Sequence, residues 1–64
     1  MIEIIIERWT NAGGATDFRW SVWRDGHRIQ MGPDVHSSAE AGEREALEFC
    51  RRGLGCEPDK LTRL

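Results

Sequence analysis

The stretch that decides the fold runs Phe18-Arg-Trp-Ser-Val-Trp-Arg24, then Asp25-Gly26, then His27-Arg-Ile-Gln-Met31. Asp-Gly between two alternating segments marks a two-residue type I′ hairpin, whose central residues both need positive φ. Placing the turn at residues 25–26 sets a register. Arg24 faces His27, Trp23 faces Arg28, Val22 faces Ile29, Ser21 faces Gln30 and Trp20 faces Met31. Val22–Ile29 and Trp20–Met31 then share one face, with Phe18 beyond them, while Trp23–Arg28 and Ser21–Gln30 share the other. A slip of one residue would mix the two sets, so pattern and turn predict the same hairpin.

Upstream, Ile2 to Trp9 is rich in β-branched residues and too short for an ordinary helix. Alternation puts Ile2, Ile4 and Ile6 on one face of a strand and Glu3, Ile5, Glu7 and Trp9 on the other. Between this strand and the hairpin lie Asn11, Gly13, Gly14 and Thr16, which are turn formers. A glycine pair can cradle phosphate, but such loops lead into a helix N-terminus. This one leads into a strand and reads as a hairpin loop.

Downstream, Gly32-Pro33-Asp34 ends the third strand. Ser37 with Glu40 three residues later has the spacing of a capping box, predicting a helix over about 38–53. Ala39, Gly42, Ala46, Phe49 and Gly53 recur at helical spacing, flanked by Leu47, Cys50 and Leu54. Glu40–Arg44 and Glu48–Arg52 are favourable i,i+4 pairs, and Gly53 and Gly55 are both candidate C-caps. The tail, residues 56–64, offers Leu61 and Leu64 as apolar contacts and can add a short fourth strand beside the first.

These elements, strands at about 2–9, 17–24 and 27–31 followed by the helix, define one α+β domain. It is a two-layer sandwich of a three-stranded antiparallel sheet on one helix, in β-β-β-α order. The expected core is Ile2, Ile4, Ile6, Phe18, Trp20, Val22, Ile29 and Met31 against Ala46, Leu47, Phe49, Cys50 and Leu54.

Sixty-four residues bury only about 60% of the unfolded chain's surface, so a disulfide, a metal or a partner would add needed stability. The chain is 39% hydrophobic and 31% charged, with net charge −2. Residues 1–31 are charge-balanced and residues 32–64 carry the whole deficit. That balance gives no global attraction to nucleic acid or to an anionic membrane. Arginine outnumbers lysine eight to one, a bias that fits a GC-rich bacterial genome. The N-terminal isoleucines are broken by Glu3 and Glu7 and lack the basic region of a signal peptide, which predicts a cytoplasmic protein with free thiols at Cys50 and Cys56.

The informative oddity is the sheet face turned away from the helix. It should be polar, and Glu3, Glu7, Arg19, Ser21, Arg28 and Gln30 are. It also carries Ile5, Trp9 and Trp23, which points to a contact surface. A purely structural alternative is a cross-strand cation–π pair of Trp23 with Arg28. As a contact surface, the residues expected to act are Trp9, Arg19, Trp23 and Arg28. Tryptophan and arginine are enriched where protein interfaces concentrate their binding energy. A protein-interaction or self-association module, such as a homodimer, is therefore the first expectation.

Nucleic acid is the second, since aromatics between arginines can stack bases and hold phosphates. Sheets of this kind read DNA in the arm-binding domains of some recombinases, whose motifs do not occur here. Glu3 and Glu7 on the same face oppose that reading. An enzyme or a metal-binding domain comes third. Cys50, Cys56, His27 and His36 make a four-ligand count without ligand spacing, and no nucleophile has an adjacent base. No catalytic residue, metal site or cofactor is expected.

Overall fold

The computed structural model describes residues 1–64. Strands β1 (Ile2–Thr10), β2 (Thr16–Arg24) and β3 (His27–Met31) are followed by helix α1 (Ala39–Phe49), a wide π-helical turn (Cys50–Leu54) and strand β4 (Lys60–Arg63). The four strands form one mixed sheet in the order β3-β2-β1-β4. β1–β2 and β2–β3 are antiparallel, and the tail supplies β4 parallel to β1. The fold is α+β, with the helix covering one face of the sheet.

β1 pairs with β2 without interruption from Ile2↔Arg24 to Thr10↔Thr16. Ile2, Ile4 and Ile6 therefore lie across from Arg24, Val22 and Trp20, on the helix side. Ile4 and Val22 are fully buried and Ile6 almost so. The turn at Asp25-Gly26 has φ of 50° and 83°, as a type I′ turn requires. Gly26→Val should accordingly destabilise by about 1–2 kcal/mol, because a β-branched side chain is strained at positive φ. Urea denaturation at pH 7 measures it, and an unchanged midpoint would contradict the turn assignment.

The β1–β2 loop closes on itself. Asn11 Oδ1 accepts from the amides of Gly13 at 2.9 Å and Ala15 at 3.1 Å, and Asn11 N donates to Ala15 O at 2.8 Å. The amides that a phosphate cradle would present are spent within the loop, those of Gly13 and Ala15 on the Asn11 side chain and that of Gly14 on Asn11 O at 3.0 Å.

The second half of β3 departs from the register that the turn implies. Arg24↔His27 and Trp23↔Arg28 pair as expected, but a β-bulge follows, and the next pairs are Val22↔Gln30 and Ser21↔Met31. The expected pairs Val22–Ile29, Ser21–Gln30 and Trp20–Met31 do not form. Ile29 is the extra residue, and Met31 moves to the face away from the helix. The two leave the predicted core, at 38% and 49% exposure.

The physical reason lies opposite Trp20. With the register shifted by one, Gly32 arrives there instead of Met31, its N–H donating to Trp20 O at 2.9 Å. The Trp20 indole lies against the Gly32 backbone so closely that a Cβ at Gly32 would stand 2.4 Å from Trp20 Nε1. A methionine side chain has no room over that ring, and glycine does. An aromatic ring packed over a cross-strand glycine is a recognised way to pin a β register.

Ser38, not Ser37, caps α1, its hydroxyl accepting from Ala41 N at 3.2 Å. The expected Ser37–Glu40 capping box is absent. His36 is held to Phe18 by two backbone hydrogen bonds of 2.8 Å, which fixes where the chain can turn into the helix. α1 meets the sheet through Ala39, Gly42 and Ala46, and the turn after it through Cys50, small residues on one stripe that let the helix approach the isoleucines. Phe49 packs at the edge of this core, its ring centroid 5.7 Å from that of Trp20. Gly55, at φ 68°, ends the helical run, and its N–H and that of Cys56 both donate to Cys50 O.

Candidate interaction surface

Strand alternation places Glu3, Ile5, Glu7 and Trp9 of β1 on the outer face, beside Asp17, Arg19, Ser21 and Trp23 of β2. β4 adds Lys60 and Thr62, and the bulge adds Met31 next to Arg28. Cross-strand pairing arranges these residues in rows. One row reads Met31, Ser21, Ile5, Thr62. The next reads Arg28, Trp23, Glu3, Lys60. A third holds Arg19 and Glu7, and Trp9 stands opposite Asp17 at the far end.

Trp23 does not stack on Arg28. Its indole N–H donates to Ser21 Oγ at 2.9 Å, two residues back on the same face, and Ser21 is 2% exposed. The ring thus closes over the sheet between Met31 and Ile5. Arg28 turns toward Met31, with Nη1 3.9 Å from Sδ. Residues three apart share a face in an extended strand only across a bulge. The expected Trp23–Arg28 cation–π pair is replaced by these two contacts.

The result is an apolar band of Met31 on β3, Trp23 on β2 and Ile5 on β1, in which Met31 is exposed and Trp23 and Ile5 are partly covered. Trp9 is separate, half-exposed at 52%, beside a recess of about 300 Å3 lined by Thr10, Asn11, Asp17 and Arg19. Of the expected site residues, Trp23 and Arg28 flank the band, and Trp9 and Arg19 share this recess. Met31 is the contributor that alternation alone assigns to the core. The signal that could have found it is Gly32, a residue small enough to sit opposite a tryptophan.

The charges on this face divide into two sets. Glu3 is satisfied, with Thr62 Oγ1 at 2.8 Å and Lys60 Nζ at 3.8 Å. Glu7, Arg19 and Arg28 have no oppositely charged group within 4 Å, although Glu7 and Arg19 are direct cross-strand neighbours.

The rest of the molecule uses its polar groups internally. Glu45 accepts from Trp20 Nε1 at 2.9 Å. His36 Nε2 lies 3.3 Å from the other Glu45 oxygen, off hydrogen-bonding geometry. Arg63 of β4 is clamped by Glu43 and Glu40 of α1. These contacts tie α1 to β2, β4 and the segment after β3. The largest cleft, about 460 Å3 at the N-terminal end of α1, is floored by Ile6 and Phe18 and includes the clamped Arg63. Cys50 is buried in the core, and burial, with Cys56 and Glu57 adding to it, pushes its thiol pKa up. A raised thiol pKa disfavours the reactive thiolate. No three of the His, Cys, Asp and Glu side chains converge as metal ligands would.

In comparisons with protein-family models, with curated proteins and with solved structures, nothing matches this chain.

Proposed function

We propose that this protein is a non-enzymatic protein-interaction module whose working surface is the outer sheet face. The observation that carries this reading is the bulge in β3. It takes Met31 out of the core and sets it beside Trp23 and Ile5, on a face that no other element covers. A chain this small gives up core volume by doing so, and an exposed Met31 beside the partly exposed Trp23 and Ile5 marks a contact site. Met, Trp and Arg, the residue types gathered here, are also those enriched at interfaces. The charge pattern favours protein over nucleic acid. Glu3, Glu7 and Asp17 offset Arg19, Arg28 and Lys60, so a polyanion would meet as many acids as bases.

A surface held for binding is dispensable for folding. Trp9→Ser and Met31→Thr are expected to leave stability within about 0.5 kcal/mol of the parent. Thermal and urea denaturation of the dilute protein read this directly. A loss of about 2 kcal/mol or more in either variant would make that side chain structural and remove the basis of the proposal.

A further inference from the structure

The partner that fits this face best is a second copy of the same chain. This deepens the reading above and rests on it. We infer that two copies pack outer face to outer face, related by a two-fold axis parallel to the strands between β1 and β2.

Charge supports the pairing. Glu7 and Arg19 sit directly across from one another on β1 and β2, yet neither is ion-paired within the chain, and Glu7 is partly buried. A rotation about that axis lays β2 of one copy over β1 of the other. Arg19 then stands over the second copy's Glu7, and the reverse contact forms by symmetry. The same operation sets Trp23 and Ile5 of the two copies across one another and Met31 across Thr62, and brings Arg28 and Lys60 together at the solvated rim, where Lys60 lies 3.8 Å from Glu3 of its own chain. Aligned sheets pack about 10 Å apart with their strands offset by about 30°.

Size sets the strength of the contact. β1 and β2 are nine residues each, β3 five and β4 four, which at about 3.3 Å per residue and about 4.8 Å between strands gives a footprint of about 430 Å2. This is about half of the roughly 800 Å2 that each partner buries in a standard interface, the scale of a weak, concentration-dependent dimer. A core of eight buried side chains is small, and a second copy supplies the missing layer.

The test is a charge exchange read by sedimentation equilibrium. The full chain is compared with Arg19→Glu, with Glu7→Arg, and with an equimolar mixture of the two variants. Circular dichroism confirms that each variant is folded. The parent should pass from monomer to dimer mass between about 10 µM and 1 mM. Each variant alone should weaken association at least tenfold, because like charges then meet twice across the axis. The mixture should regain dimer mass, since all-acidic and all-basic faces now pair. Two variants that each weaken association with no recovery on mixing would overturn the geometry.

A parent that stays monomeric to 1 mM would overturn the second copy as partner. If the parent nevertheless forms covalent adducts with a different protein through position 31, the contact-surface reading stands without the dimer. A parent that dimerises with both variants unaffected places the interface elsewhere, and the inference falls.

Discussion

Replacing Gly32 with alanine is expected to cost about 2–4 kcal/mol, far more than one methyl group ordinarily does. The added Cβ would stand 2.4 Å from Trp20 Nε1 and 2.5 Å from Cε2. The obstacle is not a flexible chain end. Trp20 is 3% exposed, its N–H is held by Glu45 at 2.9 Å, and its ring lies against Phe49. Making room means overpacking the core, at about 1–3 kcal/mol, or breaking a hydrogen bond to a carboxylate, at about 1.5–3 kcal/mol. Gly13→Ala is the control. Its Cβ would meet only Asn11 Oδ1, at 3.4 Å, and should change stability by less than about 0.5 kcal/mol. Urea denaturation of both variants decides the matter. Equal midpoints would mean that Trp20 does not pack over Gly32, and the bulge would lose its cause.

The second large effect separates two adjacent isoleucines. Ile4→Ala should cost about 2–5 kcal/mol, because Ile4 is fully buried between Val22 and the helix and its removal leaves a cavity. A domain of this length has about 3–10 kcal/mol in total, so a sizeable fraction of the variant should be unfolded at 25 °C. Ile5→Ala removes the same atoms one residue later, from the outer face. There the side chain is only partly covered, and the expected cost is below about 1 kcal/mol. Chemical denaturation of the pair measures which face of β1 is the core. Similar losses at both positions would mean that the outer face is a second buried layer within the monomer.

Much of this was legible in the sequence, for identifiable reasons. Ile2, Ile4 and Ile6 alternate with polar residues, and Asp25-Gly26 has few alternatives to a tight turn. These two signals placed β1, β2 and their shared core face. The helix is legible from its small-residue stripe, whereas its cap, Ser38, falls one residue beyond the Ser37 that the spacing to Glu40 selects. Ser37 and Ser38 are equivalent as local signals, and the choice between them is made by His36, whose backbone bonds to Phe18 are a long-range event.

The bulge was hidden for a similar reason. Ile29 and Met31 continue the alternation of a regular strand, so local pattern assigns them to the core. What overrides it is the volume of the Trp20 ring opposite Gly32, a packing condition that the hairpin's own turn chemistry does not contain. The outer face could thus be identified from Trp9 and Trp23, and Arg19 and Arg28 could be placed on it. Of the apolar band, Ile5 and Trp23 were legible by alternation, but Met31 was not, because it reaches that face only through the bulge. The parallel docking of β4 beside β1 was foreshadowed only by Leu61 and Leu64. It is secured by Arg63 against Glu43 and by Thr62 against Glu3, pairs 20 and 59 residues apart.

The most direct measurement is site-specific photo-crosslinking in the cells that make the protein, with a photoreactive residue placed at position 31, 30 or 9 in turn. Positions 30 and 31 are adjacent, but the bulge turns Gln30 toward the helix side, where it shares a recess with Trp20 and Phe49, and turns Met31 outward. Covalent protein adducts from positions 31 and 9, with none from position 30, are the expected result. Adducts from position 30 alone, or none from position 31 in a folded protein, would contradict the assignment of the outer face as the working surface.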